Sequence, residues 1–211
     1  MATKLIVEPS EEPITLDELK DHLRVDGTEE DALIMAYGRA ARRQCELISR
    51  RAFVTQTWEL ALECWPQWGY PQRSYIGLPY LPLQGQDYME LPYPPLQSVI
   101  SISYVDSAGV TSVMPGADYV VDNYREPGRV ILGYGKIWPS VTLRPGPSVI
   151  VRYVAGHGSP VVVPETYKQA IKLLAAHYYE NREAVVIQAG AMATKVPLAV
   201  EALLMMDRGN W

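Results

Sequence analysis

Phenylalanine is nearly missing: one residue, against 14 tyrosines and five tryptophans in 211. Cores favour Phe, whereas Tyr and Trp keep a polar tip for water or a partner and are enriched at interfaces. Sheet proteins also use tyrosine freely, so the bias fits either reading. Cysteine is as scarce. Cys45 and Cys64 have no CxxC and no nearby His, which excludes a disulfide framework and a zinc site. They read as two reduced core thiols of a protein that folds in the cytoplasm. Three histidines leave a His-based triad few ways to exist. No apolar run reaches membrane-spanning length, and the stretch before Glu8-Pro9 is too short for a signal peptide. Positive charge is also short, with 19 Lys and Arg against 24 Asp and Glu. A net charge of −5 argues against a DNA-wrapping or anionic-membrane protein, though a local basic patch is allowed.

What remains is ordinary globular material. Hydrophobic residues make up 48% and charged residues 20%, enough for one or two domains that need no staples. The chain divides into helix, sheet, helix. Thr15-Leu16-Asp17-Glu18 is a capping box, followed by a stripe of Leu16, Leu19 and Leu23, with Gly27 as the expected stop. Thr28 is the expected cap of a second helix with the stripe Ile34, Tyr37, Ala41, Cys45 and Ile48. Arg39, Arg42, Arg43, Arg50 and Arg51 lie off that stripe. They form either a solvated face near the helix C-terminus or a docking face for an acidic neighbour.

From Phe53 to Val163 the period becomes two. Val54, Gln56, Trp58, Leu60 and Leu62 alternate with Thr55, Thr57, Glu59 and Ala61, and Ile100, Ile102 and Tyr104 with Val99, Ser101, Ser103 and Val105. Asp106-Ser107-Ala108-Gly109 is a hairpin turn. Further strands are expected over 110–114, 118–122, 129–132 and 148–154, separated by Glu126-Pro127-Gly128 and Pro145-Gly146-Pro147. Close spacing without helices means antiparallel pairing, hence a small sandwich or open barrel. Residues 66–95 hold seven of the 17 prolines and five of the 14 tyrosines. A stretch this long reads as a stiff protruding loop whose tyrosines, Tyr80 and Tyr93 among them, contact a neighbouring chain. Its two PxxP segments are weak as SH3 ligands. Val163-Pro164-Glu165 opens a third helix with the stripe Tyr167, Ile171, Leu174 and Tyr178, and Pro197 opens a last one over 198–207. The expected fold is α+β: a bundle from the N-terminal (1–51) and C-terminal (164–211) helical parts, with an antiparallel β-domain (52–163) inserted. The long loop of that β-domain covers 65–95.

No chemistry is legible. The chain has no GxSxG, no GxxxxGK[ST] and no HExxH. Gly156-His157-Gly158 reads as an exposed turn, and His177, on the flank of the third helix's apolar stripe, reads as a half-buried histidine rather than a metal ligand. Asp26–Asp31 has the wrong register for a calcium loop. No catalytic residue, metal or cofactor is assigned.

Six segments, in order, resemble one family. They are Thr15–Asp26 (TLDELKDHLRVD), Arg51–Trp58 (RAFVTQTW), Leu91–Val99 (LPYPPLQSV), Glu126–Arg129 (EPGR), Tyr153–Gly158 (YVAGHG) and His177–Glu183 (HYYENRE). Together they are similar to the head–tail connector, or adaptor, proteins of tailed bacteriophages and gene-transfer particles. Residues 65–88 look longer than the family usually carries, so that loop inherits no role. The resemblance implies a non-enzymatic virion protein, assembled in the host cytoplasm into a ring, generally twelve-fold, beneath the portal. Such a ring extends the DNA channel and presents a platform for the stopper or tail-completion protein. An acidic chain suits a conduit, because acidic walls repel phosphates. It also implies that the C-terminal part reaches toward the portal. The apolar surplus there, Leu198, Leu203, Leu204, Met205 and Met206, with Trp211 beyond it, is then either a docking segment that folding does not need or a helix packed into its own bundle. A second reading from another class is a carbohydrate- or peptide-binding β-module using Trp58, Trp65, Trp68 and Trp138 as a stacking platform.

Overall fold

The computed structural model describes residues 1–66, 88–182 and 197–206. Its fold is α+β, in two compact units. One contains Met1–Pro9 and the described residues of Thr55–His157; the other contains Ser10–Val54 and the described residues from Gly158 on.

The first unit is built on antiparallel strands. β1 (Ala2–Val7), β2 (Gln56–Leu62), β4 (Leu96–Val105), β5 (Thr111–Val113) and β8 (Val149–Ala155) form an open sheet in the order β1-β2-β8-β4-β5. β3 (Tyr88–Glu90), β6 (Tyr119–Asp122) and β7 (Arg129–Leu132) form a second sheet, β3-β7-β6. In β2 and β8 every second residue is buried, so Trp58, Leu60, Val151 and Tyr153 share one face, as period two requires. The hairpin turn is built by Asp106, whose carboxylate accepts from the backbone of Ala108 and Val110, both at 2.9 Å.

Three expectations change here. Residues 2–7, grouped with the N-terminal helices on sequence, are an edge strand paired with β2. Ile100, expected inside, is 54% exposed because the pairing of β4 with β8 shifts register between Val99 and Ser101. A bulge moves one residue out of the alternation. Residues 88–95, placed in the long loop, are ordered: they carry β3 and a packed turn in which Met89 and Leu91 are fully buried.

The second unit is helical: α1 (Leu16–Leu23), α2 (Asp31–Ser49), α3 (Glu165–Glu180) and α4 (Leu198–Met205). The capping box forms as expected. The Thr15 hydroxyl accepts from the Glu18 amide at 3.2 Å, and the Glu18 carboxylate accepts from the Thr15 amide at 2.8 Å. That backbone bond, assisted by Lys172, holds the Glu18 carboxyl below its ordinary value. α1 stops earlier than Gly27, at Arg24 in the left-handed conformation, and α2 starts after Glu30 without a side-chain cap from Thr28. Glu30 is instead tied to α3, accepting from the Tyr179 hydroxyl and from Arg182 at 2.7 Å. The core joins Leu19, Ile34, Ala41, Cys45 and Phe53 to Tyr167, Ile171, Leu174, Val200 and Leu204. Phe53 stacks on Tyr167 at 4.4 Å. Leu19 sits against Gly38, where a Cβ would meet its Cδ1 at 2.7 Å.

Candidate interaction surfaces

The segments that stand out in the sequence of the β unit meet at one place. The Leu91 amide donates to the Gly128 carbonyl at 2.8 Å. A Cβ on Gly128 would lie 2.4 Å from the Leu96 Cβ, so only glycine fits between Pro127 and Arg129. The Tyr153 hydroxyl donates to the Pro92 carbonyl at 2.9 Å, and the Gly156 amide to that of Pro95 at 2.9 Å. Gln97 donates to the Gly156 carbonyl at 2.8 Å and to the Thr55 hydroxyl at 3.0 Å. Tyr93, in left-handed backbone, lies flat on Trp58. Burial pushes the Tyr153 hydroxyl well above its ordinary pKa, so it stays a donor. These contacts are mutual support rather than chemistry: the motifs hold one another.

This arrangement removes the tryptophan platform. Trp58 is 2% exposed and Trp65 4%, and Trp65 is stacked on Trp138 at 5.2 Å. Faces already covered by aromatic neighbours cannot stack a sugar. Trp68 lies outside the described residues.

The arginines separate into two kinds. Arg42 is buried, with Nε 2.7 Å from Glu12 and Nη1 2.8 Å from Glu46. Burial pulls its pKa down, but the two carboxylates outweigh it and hold the guanidinium above its ordinary value. Fully buried Glu46 also accepts from the Phe53 amide at 3.0 Å, binding the end of α2 to the chain that follows it. Arg51 is buried as well. Arg42 therefore leaves the docking face assigned to it: an acid four residues on and another at position 12 draw it inward. Arg39 and Arg50 are exposed, and Arg43 is half-buried, 3.9 Å from Glu46. Sequence reasoning missed Glu12 and Glu46; the spacing of Arg42 and Glu46 at i and i+4 was the available signal.

The other assigned residues divide similarly. Tyr93 is spent on Trp58, while Tyr80 and Trp211 lie outside the described residues. α4 is not a free arm: Val200 and Leu204 sit in the helical core at 0% and 1% exposure. Leu203 is half-buried, and the outer side carries Leu198, Met205 and Met206, the last 79% exposed. Of the two thiols only Cys45 is a core residue; Cys64 is exposed. His157 is half-buried rather than an exposed turn residue. Among the described residues no group of His, Cys, Asp and Glu could hold a metal ion, and no helix is long and apolar enough to cross a membrane.

Residues 13–92 match the family described as Phage gp6-like head-tail connector protein. No curated protein matches the chain. Solved structures do. The chain is similar to a subunit in the neck of an empty gene transfer agent particle computed with C6 symmetry, at 27% identity and a TM-score of 0.69, covering 98% of this chain and 94% of that one. It is similar to a chain of the native gene transfer agent virion at 28% identity and TM-score 0.70, covering 99% and 95%. A third likeness is to the neck of the native particle computed with C12 symmetry, at 27% identity and TM-score 0.68, covering 98% and 94%. The chain thus carries the head–tail connector pattern over residues 13–92 and is similar to gene transfer agent neck subunits along nearly its whole length.

Proposed function

We propose that this chain is a head–tail connector, a structural adaptor of the virion neck: a ring of identical chains beneath the portal that extends the DNA channel and carries the stopper or tail-completion protein. The observation that supports this most is two-way coverage. The likeness takes in 98–99% of this chain and 94–95% of the neck chains, so it is not a shared subdomain in a different protein. Ring assembly follows from the C6 and C12 symmetry of those necks, and twelve copies match the higher of the two. The net charge of −5 suits a conduit in which DNA slides. Its role is mechanical rather than enzymatic. Mixing the purified chain with its portal tests the reading by mass: a complex with one ring of this chain per portal supports it. Absence of the chain from the neck of tailed particles refutes it.

A further inference from the structure

α2 carries an outward face that no described residue of its own unit covers. Ala32, Leu33, Ala36, Arg39, Ala40, Leu47 and Arg50 are exposed, with Arg43 half-buried among them. At 3.6 residues per turn they fall on one side, opposite buried Ile34, Gly38, Ala41, Cys45 and Ser49. The face has two parallel parts. Leu33, Ala36, Ala40 and Leu47 form an apolar strip of mostly small residues that lets another backbone approach closely, with Leu33 36% and Leu47 49% exposed. Arg39, Arg43 and Arg50 run beside it.

The complementary charge is in the same unit. Residues 10–31 hold nine acids and two bases, whereas residues 32–54 hold five bases and one acid. Some of this is internal, as in the Lys20–Asp31 and Arg42–Glu12 pairs. What stays exposed keeps the same polarity: Asp17 and Asp21, one turn apart on α1, then Asp26 and Glu29 in the turn that follows, with Arg24 among them. One surface is acidic and a different one is basic with an apolar strip. Two unlike, complementary patches on one chain make a head-to-tail contact, the kind that closes into rings.

We infer that the partner of the α2 face is a second copy of this chain, whose α1 ridge and following turn lie along the Leu33–Leu47 strip, with the acidic run Asp17, Asp21, Asp26 and Glu29 facing the row from Arg39 to Arg50. This rests on the ring proposed above and names the surfaces that would join it. The occupant is a like copy rather than another virion protein because the acidic counterpart is in the chain itself.

The test uses four full-length proteins: wild type, Arg39→Glu/Arg50→Glu, Asp17→Arg/Asp21→Arg, and the chain carrying all four changes. Self-association is followed by sedimentation, with copies per neck counted in assembled particles. Each reversed pair is expected to weaken association at least about tenfold, and the combination to return to within about threefold of wild type, since both sides of the contact have then exchanged sign. Wild-type association should also weaken between about 0.05 and 0.5 M salt. If a reversed pair lowers the melting temperature, Arg39→Gln/Arg50→Gln replaces it, with a smaller loss expected. Unchanged association and occupancy in the reversed pairs overturns the inference in favour of a solvated face. Lost occupancy that the four-fold change does not rescue overturns it in favour of another virion protein. Rescued self-association in a chain missing from the neck would leave this contact standing and remove the proposed function instead.

Discussion

Tyr93 lies on Trp58 with ring centroids 3.9 Å apart and planes 10° from parallel, and its backbone is left-handed at φ 60°. A bulky residue in that conformation is uncommon and persists where packing over-determines it. Here the stack, the neighbouring Tyr153–Pro92 hydrogen bond and the buried side chain of Leu91 hold it. Tyr93→Ala keeps the backbone strain and loses the stack. Chemical denaturation should show a loss of about 2 kcal/mol, from the buried ring area and the aromatic pair. A change below about 0.5 kcal/mol would return Tyr93 to the pool of free interface residues.

Arg42 and Arg39 are three residues apart on α2 and predict opposite outcomes. Arg42→Ala strands Glu46 in the core without its guanidinium and should cost about 3–5 kcal/mol in urea unfolding. Arg39→Glu should stay within about 0.5 kcal/mol of wild type. An assembly defect in an Arg42 variant therefore reports folding, and only the Arg39 and Arg50 variants report docking.

α4 is divided along its length. Leu204→Ala opens a cavity in the helical core and should cost about 2–5 kcal/mol. Met205→Ser/Met206→Ser should leave the melting temperature unchanged. Removal of residues 197–211 should destabilise the helical unit, because Val200 and Leu204 go with it. A truncated chain that melts like the full one would restore the free docking arm.

The thiols differ in the same way. Burial, with Glu46 adding its charge, pushes the Cys45 pKa up to about 12, so at pH 8 it is neither accessible nor ionised. Intact-mass analysis after iodoacetamide treatment should show one adduct per native chain, at Cys64, and a second only in denaturant. Two adducts on the folded protein would mean that the α2 core opens readily.

What could be read from the sequence was local. The Thr15–Glu18 capping box, the Asp106 hairpin, the strand over 129–132 and the Pro164 and Pro197 helix starts each depend on neighbours within a few positions, and each formed. What escaped depended on distant partners. β1 pairs with β2, fifty or more positions away, and a six-residue edge strand carries little signal of its own. Arg42 looked outward-facing, solvated or docking, because its charge sat off the apolar stripe; Glu12, thirty positions earlier, is what draws it in. The bulge at Ile100 is a property of the pairing with β8, and alternation within β4 alone does not show it. The family segments were legible as a pattern before their reason was. Leu96 against Gly128, and Gln97 bridging Thr55 and Gly156, supply it.

The neck assignment is tested most directly by cryo-electron microscopy of tailed particles that carry this chain. The expected result is a closed ring of its density, twelve copies, immediately beneath the portal, with α2 of each copy facing α1 of the next. Density for the chain elsewhere in the particle, or a neck complete without it, would contradict the account.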